Sequence, residues 1–285
     1  MMLDAGLIVS RFIHFTAVLA LFGGALFPIY VGREAGPPKR WLMLCAAIAV
    51  TGGIGWFAFT AAAMSGDAAG LVDPQVWISV IRATDFGPLW LARLGLLMII
   101  PLLAWLAPKR DVTLAQLCGV VLITLAGAGH ARFNQGLAGD LHITADAAHL
   151  LAAGAWLGGL WPLGRVLTRT DIDPGPVLKR FSGMGYLAVA TLLASGLANS
   201  WFLVGTVQGL VTTPYGRLVL TKTAIFAAMV ALAAGNRFWI MPRLSVEDGR
   251  PLRHLRGHVL AEQVLGVLTV AVVSYLGTIQ PAMEN

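Results

Sequence analysis

Eight apolar runs dominate this chain, at 6–32, 41–64, 86–107, 113–130, 143–164, 182–204, 217–240 and 258–279. A helix needs about 20 mostly apolar residues to cross the hydrocarbon core of a bilayer. Within that core the backbone must satisfy its own hydrogen bonds, so runs of this kind are expected to be helices. The expected fold class is therefore all-α, a polytopic membrane protein with eight transmembrane helices. Composition agrees: 57% of residues are hydrophobic and 12% charged, with a mean hydropathy of +0.76. An ordinary soluble domain carries about 25% charged residues. The 33 glycines suit close helix contact in a membrane.

The gaps between the runs alternate in charge. Residues 33–40, 108–112, 165–181 and 241–257 hold most of the basic side chains, among them Arg33, Lys39, Arg40, Lys109, Arg110, Arg165, Arg169, Lys179 and Arg180. The gaps 65–85, 131–142 and 205–216 hold only Arg82 and Arg132. The positive-inside rule puts the first set in the cytoplasm and both termini outside. Placed in this way, the net charge of +6 gives no reason to expect a nucleic-acid partner. The N-terminus carries Asp4 and no basic residue before its apolar run, unlike a signal peptide, so the first run is expected to be a retained span. After Asp73, the segment from Pro74 to Ala83 is expected to be a brief interfacial helix.

An internal repeat is visible. His14 is followed by Gly23-Gly24 and Pro28, and His149 is followed at the same spacing by Gly158-Gly159 and Pro162. Gly87 precedes Arg93 as Gly216 precedes Lys222, and Leu114-Ala115-Gln116 echoes Leu260-Ala261-Glu262. Two parallel four-helix repeats are expected, over 1–130 and 143–285, joined by an outer loop at 131–142. An even number of spans per unit relates the two by an axis along the membrane normal.

Ionisable groups in such runs mark function. His14, His130, His142 and His149 all fall on the outer side, whereas His254 and His258 sit among inner arginines. His142, Asp146 and His149 share one helix face, with His149 about 10 Å inward of His142 at 1.5 Å per residue. The repeat makes His14 the counterpart of His149, so the two imidazoles can serve one metal or haem site. Imidazole alone does not select among Cu, Zn, Fe and Ni. Asp146 is expected to orient a histidine or to offset Arg93 or Lys222. Cys45 and Cys118 lie toward the inner face as possible Cu(I) ligands, with core filling as the alternative, and their positions suggest no disulfide framework. Met64 and Met283 are further soft donors. Glu262 is placed to pair with Arg237. No catalytic or nucleotide-binding motif stands out, and no enzyme activity is expected.

Several stretches resemble the copper resistance protein D (CopD) family. They are RFIHFTAVLALFGGALF at 11–27, GHA at 129–131, ADAAHLLAAGAWLGGLWPL at 145–163, YGRLVLTKTAIFAAMVALAAGNR at 215–237 and HVLAEQVLGVLTVAVVSYLGT at 258–278. The resemblance implies a bacterial inner-membrane protein of copper resistance or uptake, with copper as Cu(I) or Cu(II) and a separate periplasmic copper chaperone as partner. His130 and His149 match the family's histidine positions, with His14 and His142 as further candidates. The expected function is capture of periplasmic copper at these histidines and its movement inward. The alternative is a haem-b electron-transfer protein with His14 and His149 as axial ligands.

Overall fold

The computed structural model describes residues 2–107, 109–126, 136–244 and 249–282. The described residues form α1 (Met2–Val31), α2 (Lys39–Ser65), α3 (Pro74–Ala83), α4 (Phe86–Leu106), α5 (Asp111–Ala126), α6 (Gly136–Val166), α7 (Pro174–Val204), α8 (Val207–Thr212), α9 (Pro214–Gly235) and α10 (Arg250–Leu276). A π turn (Asn236–Ile240) and a 3-10 turn (Met241–Arg243) continue α9 inward. Six helices are long and apolar enough to cross a membrane: α1, α2, α4, α7, α9 with its continuation, and α10. The remaining two expected runs are also helical: α5 is a shorter apolar helix and α6 is 31 residues long. The chain is an all-helical, polytopic membrane protein.

Local chemistry sets the helix starts. Asp73 accepts the Gln75 N–H at 2.8 Å ahead of α3, the expected short helix, and Pro74 supplies its first residue. Thr213 accepts the Gly216 N–H at 3.0 Å ahead of Pro214 and α9. Such caps satisfy N–H groups left over at a helix start, and proline at that position loses nothing. The same device lengthens α7: Asp173 accepts the Gly175 N–H at 2.9 Å, so the helix begins at Pro174 rather than at the apolar boundary near 182. At its outer end α6 starts at Gly136, whose φ of +66° suits glycine. Most of the expected 131–142 loop is therefore helix.

The side chains bury into two main cores. One gathers Leu21, Ala49, Leu97, Ile100 and Leu122 from α1, α2, α4 and α5. The other gathers Trp156, Leu160, Phe181, Met229 and Val259 from α6, α7, α9 and α10, with Phe27 of α1 joining it. Between them α1 meets α6 with backbone against backbone, because a Cβ on Gly23 or on Gly158 would overlap the other helix's main chain. A second glycine pair has matched roles: Gly87 lets α4 start against Ile81 of α3, and Gly216 lets α9 start against Gly209 and Leu210 of α8.

Basic side chains tie the opposite ends of the helices together. Arg33 and Lys39 both reach Asp111, at 2.5 and 3.2 Å. Arg180 donates to the Val31 carbonyl at 2.9 Å, and Arg256 to that of Leu167 at 2.7 Å. Hydrogen bonds from Arg169 hold the exposed Asp171 carboxyl below the usual carboxylate range.

Candidate metal centre

His149 stands on α6 facing α7 and α9. Its Nδ1 lies 3.0 Å from the Ser195 hydroxyl, which donates its proton to the Thr191 carbonyl at 2.5 Å. The serine oxygen can then only accept, which assigns the proton to Nδ1 and the lone pair to Nε2. That lone pair accepts from the Lys222 ammonium on α9, at 3.2 Å. One turn outward, Asp146 accepts from Asn199 of α7 at 3.2 Å and attracts Lys222 electrostatically. Of the two cations considered for Asp146, Lys222 bonds His149 one turn away, while Arg93 lies on α4 and bonds Thr124. Tyr215 feels the same carboxylate. Asp146, His149 and Lys222 are all partly exposed. His142, two turns outward from His149 on α6, is only 1% exposed and stacks on Phe202 at 4.6 Å, so it belongs to a helix rather than to a loop.

His14 occupies the matching place on α1 and is 1% exposed. Its Nδ1 lies 2.7 Å from the Ala49 carbonyl of α2, so this nitrogen must donate. Nε2 again carries the lone pair, and here it is buried without a hydrogen-bond partner. The ring lies 5.6 Å from Trp56. The Arg11 and Arg93 guanidiniums sit over the same indole, at 5.1 and 5.2 Å. Arg93 donates to the Thr124 hydroxyl at 2.8 Å and to the Thr124 carbonyl at 2.7 Å.

These two constellations correspond position by position. Each histidine uses Nδ1 on the second long helix of its half, and His149 alone also meets the base of a later helix through Nε2 among the described residues. At the spacing that relates His14 to His149, Arg11 corresponds to Asp146. The imidazoles are brought to equivalent places, yet they share no hydrogen-bond partner among the described residues. Each has its Nδ1 engaged within its own half, and nothing in these contacts supports the haem alternative. No three His, Cys, Asp or Glu side chains come together among the described residues.

The remaining sequence candidates fall as follows. His130 and Met283 lie outside the described residues, and Met64 is exposed at the end of α2. Cys45 and Cys118 are free thiols buried in the first core, on α2 and α5. Glu262 takes its hydrogen bond from Asn236 at 2.8 Å rather than from Arg237, because the π turn rotates Asn236 inward. Asn236 in turn bonds His258 at 2.8 Å. Sequence reasoning passed over Ser195 and Asn199. Their signal was two polar residues four apart, hence on one face, inside an apolar run.

The comparisons with known proteins agree with this membrane architecture. Residues 2–140 match the family described as copper resistance protein D-like, N-terminal domain, and residues 175–276 match copper resistance protein D. The chain is 32% identical to the inner membrane protein YebZ of Escherichia coli K12, over 96% of this chain and 98% of the relative. It is 31% identical to copper resistance protein D of Pseudomonas syringae pv. tomato, over 97% of each. A shorter match, 32% identical over 40% of this chain, covers 22% of the copper transport protein CutJ of Bacillus subtilis. No solved structure matches. With helices fit to span a bilayer and relatives aligned almost end to end, the chain is a multi-pass inner-membrane protein and belongs to the copper resistance protein D family.

Proposed function

We propose that this protein captures periplasmic copper at a centre built on His149 and passes it inward. The observation that carries this reading is the His149 Nε2 lone pair, fixed by Ser195 and turned to a partly exposed cluster beside Asp146. Imidazole is a good copper ligand, and a hydrogen bond to its other nitrogen sets the tautomer that binds metal. In the metal-free arrangement Lys222 caps the lone pair, so an arriving copper ion displaces an ammonium and leaves Asp146 to balance its charge. His142 on the same helix, and His130 earlier in the sequence, are the further candidates for receiving copper from a periplasmic chaperone. The eight helices then form two parallel four-helix repeats with both termini in the periplasm. The Gly23–Gly158 seam and the matched histidine networks support this arrangement. His14 is the counterpart of His149 by position, but its setting of two guanidiniums is unfavourable to a cation.

The test is copper retained by the purified protein after loading and desalting. Wild type is expected to hold copper and His149→Ala to lose it, with His14→Ala holding as much as wild type. Equal retention in His149→Ala and wild type overturns the centre. For direction, deletion of the gene is expected to lower cellular copper, and unchanged or raised copper overturns inward movement.

A further inference from the structure

We propose that the first half encloses a small monovalent inorganic anion, of the size and charge of chloride, between the guanidiniums of Arg11 and Arg93. Both side chains lie over Trp56, and Arg93 is 1% exposed. Among the described residues, the Arg11 Nε and the Arg93 Nη1 are buried without a hydrogen-bond partner. Buried N–H donors in folded proteins are nearly always paired, and charged ones carry the largest penalty when they are not. Guanidinium does not lose its proton, so neutralisation of the side chain is not an escape. The indole face supplies some compensation to each cation but cannot remove the repulsion between them.

The other half shows what is missing. There the position equivalent to Arg11 is Asp146, which puts a carboxylate one turn from His149, the hydrogen-bond partner of Lys222. In the first half the same place holds a second cation, and among the described residues no carboxylate is paired with either guanidinium. Asp4 and Asp85, the acidic residues on these helices and their caps, lie seven residues outward of Arg11 and eight outward of Arg93. That is about 10 Å and 12 Å along the helix at 1.5 Å per residue, and both have contacts of their own. Thr124, the hydrogen-bond partner of Arg93, is neutral. The anion is small because neighbours crowd the place, Arg93 being buried and Arg11 half-buried. Gly277 at the end of α10 meets the Arg11 guanidinium so closely that a Cβ there would overlap it, and Gly53 packs on the His14 ring beside Trp56. His14 keeps its lone pair and takes no part in holding the anion.

The experiment uses the purified full-length protein without copper, so it stands apart from the copper reading. Thermal unfolding is followed in chloride and in gluconate at equal ionic strength, together with the broadening of the chloride NMR line by the protein. Wild type is expected to show a saturable rise in unfolding midpoint with chloride, and line broadening that bromide displaces. Arg11→Asp supplies the carboxylate internally, as the second half does, and is expected to lose both effects while staying folded in gluconate. Arg93→Gln is expected to lose the broadening. A wild-type midpoint equal in both salts with no excess broadening overturns the proposal. So does a chloride response in Arg11→Asp as large as that of wild type, which would assign the ion to another place.

Discussion

The two histidine clusters differ in how they treat charge. Around His14 two guanidiniums and an imidazole gather at Trp56, with His14 and Arg93 buried and Arg11 half-buried, and a glycine fits against the ring. Around His149 a carboxylate and an ammonium balance one another, and the cluster is partly exposed. The surrounding helices differ in the same sense. In its most apolar stretch 61% of α1 is buried, against 11% of α9, which carries Lys222. His14 and Arg93 are each 1% exposed, whereas Asp146, His149 and Lys222 are half-buried.

Matched substitutions can break this comparison. The largest contrast is expected between His149→Ala and His14→Ala. The first should lower copper affinity by more than about 100-fold, beyond what loss of an outer partner does. The second should leave affinity unchanged and destabilise the fold, read as copper titration beside thermal unfolding. Next, Asp146→Asn and Ser195→Ala should each weaken copper about 10-fold, as supporting partners do. An affinity equal to wild type in both would detach His149 from its network. For stability, Gly53→Ala should cost about 1–3 kcal/mol, the range for overpacking, because its Cβ would stand 3.1 Å from the His14 ring. Gly196→Ala meets the His149 ring only at 3.8 Å and should gain up to about 1 kcal/mol, the helix-propensity difference. Equal losses in denaturant midpoint would erase the distinction. Smallest of all, Cys45→Ala with Cys118→Ala should leave copper retention unchanged. A loss there would add a thiol step in the first half.

Much of the architecture was legible because it rests on patterns that a bilayer imposes. Apolar length marked the helices, and Asp73-Pro74 marked the short α3. The glycine pairs at 23–24 and 158–159 marked the place where two helices touch. What escaped depends on contacts between helices. The start of α7 follows a single cap at Asp173, and Asn236 displaces Arg237 from Glu262 because a π turn shifts the register by a fraction of a turn. The site was half visible. The equivalence of His14 and His149 lay in the spacing, as did that of Arg93 and Lys222. The opposite charges of Arg11 and Asp146 needed the same alignment carried three residues further. That the imidazoles turn into separate halves could not be read from periodicity, which gives a face but not the neighbour it meets.

The glycine seam between α1 and α6 also limits how such a molecule can work. Carriers that rock one repeat against another need a joint whose surfaces slide or roll, cushioned by side chains that change rotamer. Here the joint is main chain on main chain at Gly23 and Gly158, with no compressible layer between. The two helices act as a rivet. Whatever motion the molecule makes, α1 and α6 are expected to keep this contact.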